Sequence, residues 1–181
     1  ILKRNGLVIF DVDNLSVHGG SNRIYVKKPN VPSANTITEN VFTNLRKEED
    51  FGISNFETYE TFAKRVNYSK DELLRCLSNL KHNGKKIMCI GATAKSTTVF
   101  NYCGITTDLI DLITDTTTDK QNTFAPGSHI PILSPKDVDL NDYDYIYLGA
   151  WNFKDVIMNN SKDFIKNGGK FITHVPRVTI Y

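Results

Sequence analysis

The stretch Gly91-Ala92-Thr93-Ala94-Lys95-Ser96-Thr97 carries the residue types of an anion site. It follows an apolar run, Ile87 to Ile90, that reads as a buried strand, and it precedes a helical segment from about Ser96. At such a junction the free N–H groups of the first helical turn and the helix dipole both favour negative charge. Thr93, Ser96 and Thr97 add hydroxyl donors and Lys95 a point charge. This chemistry predicts capture of a phosphate-bearing ligand. The same residues also suit an ordinary strand-to-helix turn with an exposed lysine, and both readings stand at this point. The loop has one glycine where a dinucleotide fingerprint has three. No Gly-Lys-Ser or Gly-Lys-Thr follows to make a Walker loop.

Other groups fall at comparable places. Asp115 follows the next apolar run, where an acid in a dinucleotide fold holds a ribose hydroxyl pair; it equally suits a turn cap in the run Thr114–Asp119. Lys120, Gln121 and Phe124 occupy the long loop beyond it, and such loops often hold binding groups. His129, after the turn signal Pro126-Gly127, can donate to a phosphate or hydroxyl, or serve as a structural donor. The Trp151 face can stack on a base or sugar beside Asn152, or plug the sheet edge. No catalytic constellation is visible: there is no Gly-x-Ser-x-Gly, no cysteine with a paired histidine nearby, and no carboxylate pair at a helical spacing in a plausible cleft. An enzyme containing this chain is expected to carry its catalytic groups elsewhere.

The elements that must position these residues alternate from Lys86 onward. Strands are predicted at 86–90, 109–114, 132–133, 145–148 and 170–174, and helices at 96–103 and 153–166. The alternation predicts an α/β domain over 85–181, a Rossmann-like parallel sheet with helices on both faces. Ligands of such sheets bind outside the strand C-termini, and the loops 91–97, 115–121 and 149–152 fall on that edge.

Residues 1–30 read as a hairpin, with strands Leu7–Val12 and Arg23–Lys27 pairing antiparallel around a turn-rich link. A lone hairpin is not stable in water, so these are expected to be the terminal strands of an upstream domain. The opening Ile1–Gly6 reads as the last turn of a helix, which predicts that the chain begins inside a larger protein. Residues 31–84 form a linker and helical connector. A polar stretch at 29–37 is broken by Pro29 and Pro32, a helix covers Thr38–Asp50, and a long helix capped by Ser54 or Asn55 stops at Asn83-Gly84. Its stripe Phe56, Tyr59, Phe62, Val66, Leu73, Leu77 and Leu80 predicts packing, with a partner-binding face as the alternative.

Composition bounds the partners. The 181 residues carry a net charge of +2 with lysines scattered among carboxylates, which disfavours a nucleic-acid partner. No apolar run approaches the ~20 residues of a membrane span. Cys76, Cys89 and Cys103 lack metal spacing and read as reduced thiols of a cytoplasmic protein. His18, His82, His129 and His174 are too scattered to suggest a metal site.

Several stretches together resemble the C-terminal domain of sugar C-methyltransferases: Gly91-Ala-Thr-Ala-Lys95, Asn101-Tyr-Cys-Gly-Ile105, Asp108-Leu-Ile-Asp111, Lys120-Gln121, Pro126-Gly-Ser-His-Ile-Pro131 and Ala150-Trp-Asn-Phe153. His18-Gly-Gly-Ser21 and Arg23-Ile-Tyr-Val26 are similar to the end of that family's central domain. The resemblance implies an S-adenosylmethionine-dependent enzyme that methylates a carbon of a nucleotide-linked keto-deoxysugar. Its zinc-binding region, its methyl-donor loop and its catalytic Tyr/Glu/His segment are expected upstream. This chain is then expected to bind no cofactor, to be inactive alone, and to contact the upstream methyltransferase domain.

On this reading the substrate's nucleotide faces Gly91, Ala92, Thr93, Lys95, Ser96, Thr97 and Asn101, together with Asp115, Lys120, Gln121, His129, Trp151 and Asn152. The chain differs from the family pattern at Ser96-Thr97, where Gly-Asn is common. Two further classes are weighed against this one. A non-catalytic nucleotide-binding or interaction module needs only the fold. An NAD(P) oxidoreductase lacks its glycine spacing here.

Overall fold

A computed structural model describes residues 1–29 and 36–181. Most of the linker expected at 29–37 lies outside the described residues. The chain divides into two compact units, Ile1–Ala63 and Lys64–Tyr181.

In the first unit, β1 (Val8–Leu15) pairs antiparallel with β2 (Ser21–Lys27). The strands run further into the connection than the sequence pattern predicts, and the turn narrows to residues 16–20. There His18 (φ 56°) and Gly20 (φ 120°) take backbone conformations that reverse the chain. The hairpin is tied to α1 (Glu39–Phe51) through Asp11. Its Oδ1 accepts from the Thr38 hydroxyl at 2.5 Å and from Asn40 at 3.1 Å, and the Thr38 N–H donates to the Phe10 carbonyl at 2.9 Å. Gly52 ends α1 in the left-handed conformation (φ 76°), its N–H donating to the carbonyls of Glu48 and Glu49. The long helix α2 (Phe56–His82) begins in this unit.

The second unit is built on a seven-stranded sheet in the order β5-β6-β4-β3-β7-β8-β9. These are β3 (Ile87–Ile90), β4 (Ile113–Thr114), β5 (Thr123–Phe124), β6 (Pro131–Leu133), β7 (Tyr145–Leu148), β8 (Lys170–Thr173) and β9 (Thr179–Ile180). The inner strands β6, β4, β3, β7 and β8 pair parallel, as expected. The all-parallel expectation is corrected at both edges, where β5 and β9 pair antiparallel with β6 and β8. Each edge strand joins its neighbour through a short turn, and only antiparallel strands can be joined that way. β4 is also shorter than the predicted 109–114. Residues 111 and 112 still bond to β3, with the Asp111 N–H on the Ile87 carbonyl and the Cys89 N–H on the Leu112 carbonyl, both at 2.8 Å.

The period-two alternation of the strands sorts the core onto two faces. Ile87, Cys89, Tyr147 and Ile172 point to one face, where they pack with Leu73 and Leu77 of α2 and with Phe100 of α3 (Ala94–Cys103). Met88, Ile146, Leu148 and Phe171 point to the other and pack with Phe164. The single helix predicted over 153–166 is two, α4 (Lys154–Asn160) and α5 (Lys162–Lys166). The break falls at buried Ser161 (φ −115°, ψ 36°), after Asn159-Asn160, residues that compete with the helix for backbone hydrogen bonds. Cys89 and Cys103 are buried and Cys76 is half-buried; none is in a disulfide. Burial raises all three thiol pKa values above the ordinary range.

Candidate ligand site at the carboxyl edge of the sheet

The turn after β3 is held from every side. Gly91 (φ 100°) donates its N–H to the Thr114 carbonyl at 2.8 Å. Ala92 N–H donates to Asp115 Oδ2 at 2.8 Å. Thr93 and Ser96 form a reciprocal capping box: Thr93 N–H donates to Ser96 Oγ at 2.9 Å, and Ser96 N–H to Thr93 Oγ1 at 3.1 Å. Thr97 N–H donates to the Thr93 carbonyl at 3.0 Å. The free N–H groups expected at the first helical turn are thus fewer than the loop's residue types suggest, because the Ser96 N–H is taken by the Thr93 side chain and the Thr97 N–H by the Thr93 carbonyl. Of the N–H groups of this turn, those of Ala94 and Lys95 at the start of α3 have no intramolecular acceptor among the described residues.

The fit of Gly91 against the loop after β7 is equally close. A Cβ on Gly149 would stand 2.4 Å from the Gly91 carbonyl oxygen, and one on Gly91 would stand 2.8 Å from the Ala150 Cβ. Thr93 Oγ1 donates to the Gly149 carbonyl at 3.0 Å. Backbone thus packs on backbone where the strand order reverses, and the space open to a guest lies to either side.

Asp115 carries the clasp that holds this turn to the loop after β4. Its carboxylate is 9% exposed and accepts the N–H groups of Ala92 and Thr117, each at 2.8 Å. Burial pushes the carboxyl pKa up. The Thr117 backbone and hydroxyl, the Lys120 charge and the Ala92 N–H outweigh it and hold the group below the usual carboxylate range. Lys120 Nζ donates to the Ala92 carbonyl at 2.9 Å and lies 3.4 Å from Asp115 Oδ2. Gln121 Nε2 donates to the Asp115 carbonyl at 3.0 Å. The Ala92 peptide units are thus gripped by Asp115 at the N–H and by Lys120 at the carbonyl.

Two clefts flank this strap. The larger, about 640 Å³, lies between the ends of β3 and β4, the Ala150 loop and α4, with Ile90, Asp115, Thr116, Phe153, Ile157 and Asn160 in its walls. The smaller, about 300 Å³, lies toward the start of α3 and β5, with Ala92, Ala94, Thr97, Phe124 and Pro126 in its walls. Thr93 and Lys120 line both.

Of the residues expected at a ligand, Gly91, Ala92, Thr93, Thr97, Asp115 and Lys120 line these clefts. Ser96 does not, and its donor role is corrected. It is 2% exposed and its hydroxyl contacts the carbonyls of Gly91 at 3.0 Å and Thr93 at 2.9 Å. Asn101 bridges the carbonyls of Thr97 and Pro126, at 2.8 and 2.9 Å, which ties α3 to the turn before β6. Gln121, His129, Trp151, Asn152 and Lys95 also stand outside the two linings. Lys95 is half-buried, and its ammonium has no bonded partner among the described residues. His129 is exposed in a left-handed turn (φ 54°). Phe153, Ile157 and Asn160 were not legible as site residues. The polar run Asn159-Asn160-Ser161 at the end of an apolar helix stripe was the signal available.

One further polar pair lies in the core near this edge. The buried Tyr147 hydroxyl is 2.7 Å from His174 Nδ1, with the rings stacked at 5.7 Å. Burial pushes the His174 pKa down, which favours the neutral ring, and Nδ1 of that ring shares a hydrogen bond with the tyrosine hydroxyl.

Fold and edge together define an α/β domain of the kind that holds a ligand at the carboxyl ends of its strands. Residues 16–176 match the family described as the C-methyltransferase C-terminal domain. The chain is also similar to the C-methyltransferase NovU of Streptomyces niveus, 33% identical over 176 residues, covering 97% of this chain and 41% of that protein. The chain belongs to the C-methyltransferase C-terminal domain family, and it spans about two-fifths of the length of that relative. Among the described residues no group of three or more His, Cys, Asp or Glu side chains could hold a metal, and no helix is long and apolar enough to cross a membrane. The residues present therefore do not fit zinc. The strap, with its one glycine and engaged amides, does not fit a methyl-donor loop either.

Proposed function

We propose that this chain is the substrate-holding C-terminal part of an S-adenosylmethionine-dependent C-methyltransferase acting on a nucleotide-linked keto-deoxysugar. The observation that carries this reading is the pair of clefts beside the Gly91–Thr97 strap, in a chain of this family. Methyl transfer to carbon requires removal of a proton next to the ketone and an in-line approach of the resulting enolate to the methyl group, so the substrate must be held in one alignment. The contribution of this chain is that alignment. Lys120, the Thr97 hydroxyl and the two free N–H groups at the start of α3 favour a diphosphate. The apolar walls of the larger cleft favour a base. The residues that move protons belong to segments outside this chain, and so does the methyl donor. The chain alone is expected to bind nucleotide weakly and to transfer no methyl group.

Titration of the 181-residue chain with nucleoside diphosphates, followed by chemical shifts of the 91–97 and 115–121 amides, tests the reading. Saturable shifts in both loops are expected. Unchanged spectra up to millimolar nucleotide would refute it.

A further inference from the structure

The apolar seam of α2 alternates spacings of three and four residues along its whole length. Leu73, Leu77 and Leu80 carry its second half into the core. Phe56, Tyr59, Ala63 and Val66 continue the same spacing in its first half. There every residue from Tyr59 to Arg65 is exposed, on all sides of the helix. Phe56 is 71% exposed, Tyr59 52% and Phe62, beside the seam, 57%. Monomeric proteins rarely leave contiguous aromatic surface in water, and such patches mark contacts. The Tyr59 hydroxyl donates to the Ile53 carbonyl at 2.5 Å, which presents its ring in one pose and lowers the cost of ordering it on a partner.

The charges beside the seam say what partner fits. Glu57 and Glu60 stand toward the start of the helix, and Lys64 and Arg65 follow within two turns. None of the four has an ion-pair partner among the described residues. This layout complements its own reverse. Laid antiparallel about a twofold axis near Thr61, Phe56 faces Val66 of a second copy and Tyr59 faces its Ala63. Each large ring then meets a smaller side chain, as interdigitation requires. Phe62 meets its own counterpart across the axis, and Lys64 of the second copy falls between Glu57 and Glu60. A parallel pair would set Glu57 on Glu57 and Lys64 on Lys64, like charge on like.

The geometry points to a self-association surface: the first three turns of α2 pair antiparallel with the same turns of a second copy of this chain. The contact is isologous and closes at two copies. At about 150–250 Å² for a fully buried aromatic side chain, the exposed fractions of the three rings amount to about 700 Å² over both copies. That is below the ~1,600 Å² of a standard interface, so the dimer is weak and depends on concentration. The inference is independent of the ligand reading above.

Sedimentation equilibrium of the 181-residue chain, from micromolar to submillimolar concentration, tests it. The apparent mass should rise toward twice that of the monomer. Ala63→Glu sets a carboxylate against the Tyr59 ring from an exposed position that tolerates a good helix former, and should weaken association about tenfold or more. Lys64→Glu should weaken it about fivefold or more, and adding Glu57→Lys and Glu60→Lys should restore it to within about twofold, since the inverted charges again complement their own reverse. The triple variant should not pair with wild type. Should Ala63→Glu lose helicity by circular dichroism, Phe62→Lys brings two cations together at the axis and serves in its place. Monomer at every concentration overturns the inference and leaves the stripe to another part of the methyltransferase. Association indifferent to Ala63→Glu and Phe62→Lys overturns it as well, and so does a triple variant that pairs no better than Lys64→Glu or mixes freely with wild type.

Discussion

Asp115→Asn is the sharpest probe of the strap, because it keeps the shape and removes the charge. Two backbone N–H groups at 2.8 Å donate to the carboxylate. Hydrogen bonds to a charged group are worth roughly 1.5–3 kcal/mol each, and neutral ones about 1. Asparagine can keep one of the two as a neutral bond while its NH2 group faces the other donor. The Lys120 contact adds little, since its side chain is 42% exposed and such pairs contribute at most about 1 kcal/mol. The expected loss is therefore about 2–5 kcal/mol at pH 7, read by urea unfolding of both proteins. The pH dependence has a definite sign. The folded Asp115 carboxyl lies below its ordinary value, so its stabilisation is full above the ordinary carboxylate pKa and is lost as pH falls through the lowered one. The gap between wild type and variant should narrow on acidification below about pH 4. A loss under about 0.5 kcal/mol at pH 7, or a gap that widens in acid, would show that the carboxylate does not clamp the strap.

Three further outcomes are expected. Gly149→Ala places a Cβ 2.4 Å from the Gly91 oxygen and 2.8 Å from Cys89 Sγ, so it should destabilise by about 3 kcal/mol in urea melts; a neutral result would mean the two loops separate easily. His174 has a lowered pKa, so its contribution to stability is complete above the ordinary histidine value near 6.5 and falls as pH drops below it. Thermal melts should show that slope in wild type and a flatter profile in His174→Phe, and identical profiles would exclude His174 as its source. Native protein treated with a thiol reagent should react slowly at half-buried Cys76 while Cys89, fully buried with its pKa pushed far up, stays unmodified until unfolding; rapid modification of Cys89 would contradict the packing of β3.

Much of the scaffold could be read from residue order. Alternating apolar runs and helical stretches from Lys86 placed β3, β7, β8 and α3 close to their observed bounds, since burial on both faces of a sheet leaves continuous apolar runs. The motifs from Gly91 to Phe153 pointed to the family that residues 16–176 match. The edge strands β5 and β9 left no such mark. They are two residues long and exist only because a neighbour offers hydrogen bonds.

What sequence could not decide was which polar groups remain available to a guest. Glycine, threonine, serine and lysine in one loop describe an anion site and a self-satisfied turn equally well. The outcome depends on partners delivered from afar: Asp115 at 23 positions from Ala92, Lys120 at 28, and the Gly149 carbonyl at 56 from Thr93. Tertiary packing spent the amides of the strap on those partners and moved the open space into two clefts beside it. Local pattern settles where elements begin and end, because periodicity and capping act within a few residues. Occupancy of a donor is a property of the folded neighbourhood, because a hydrogen bond is indifferent to separation along the chain.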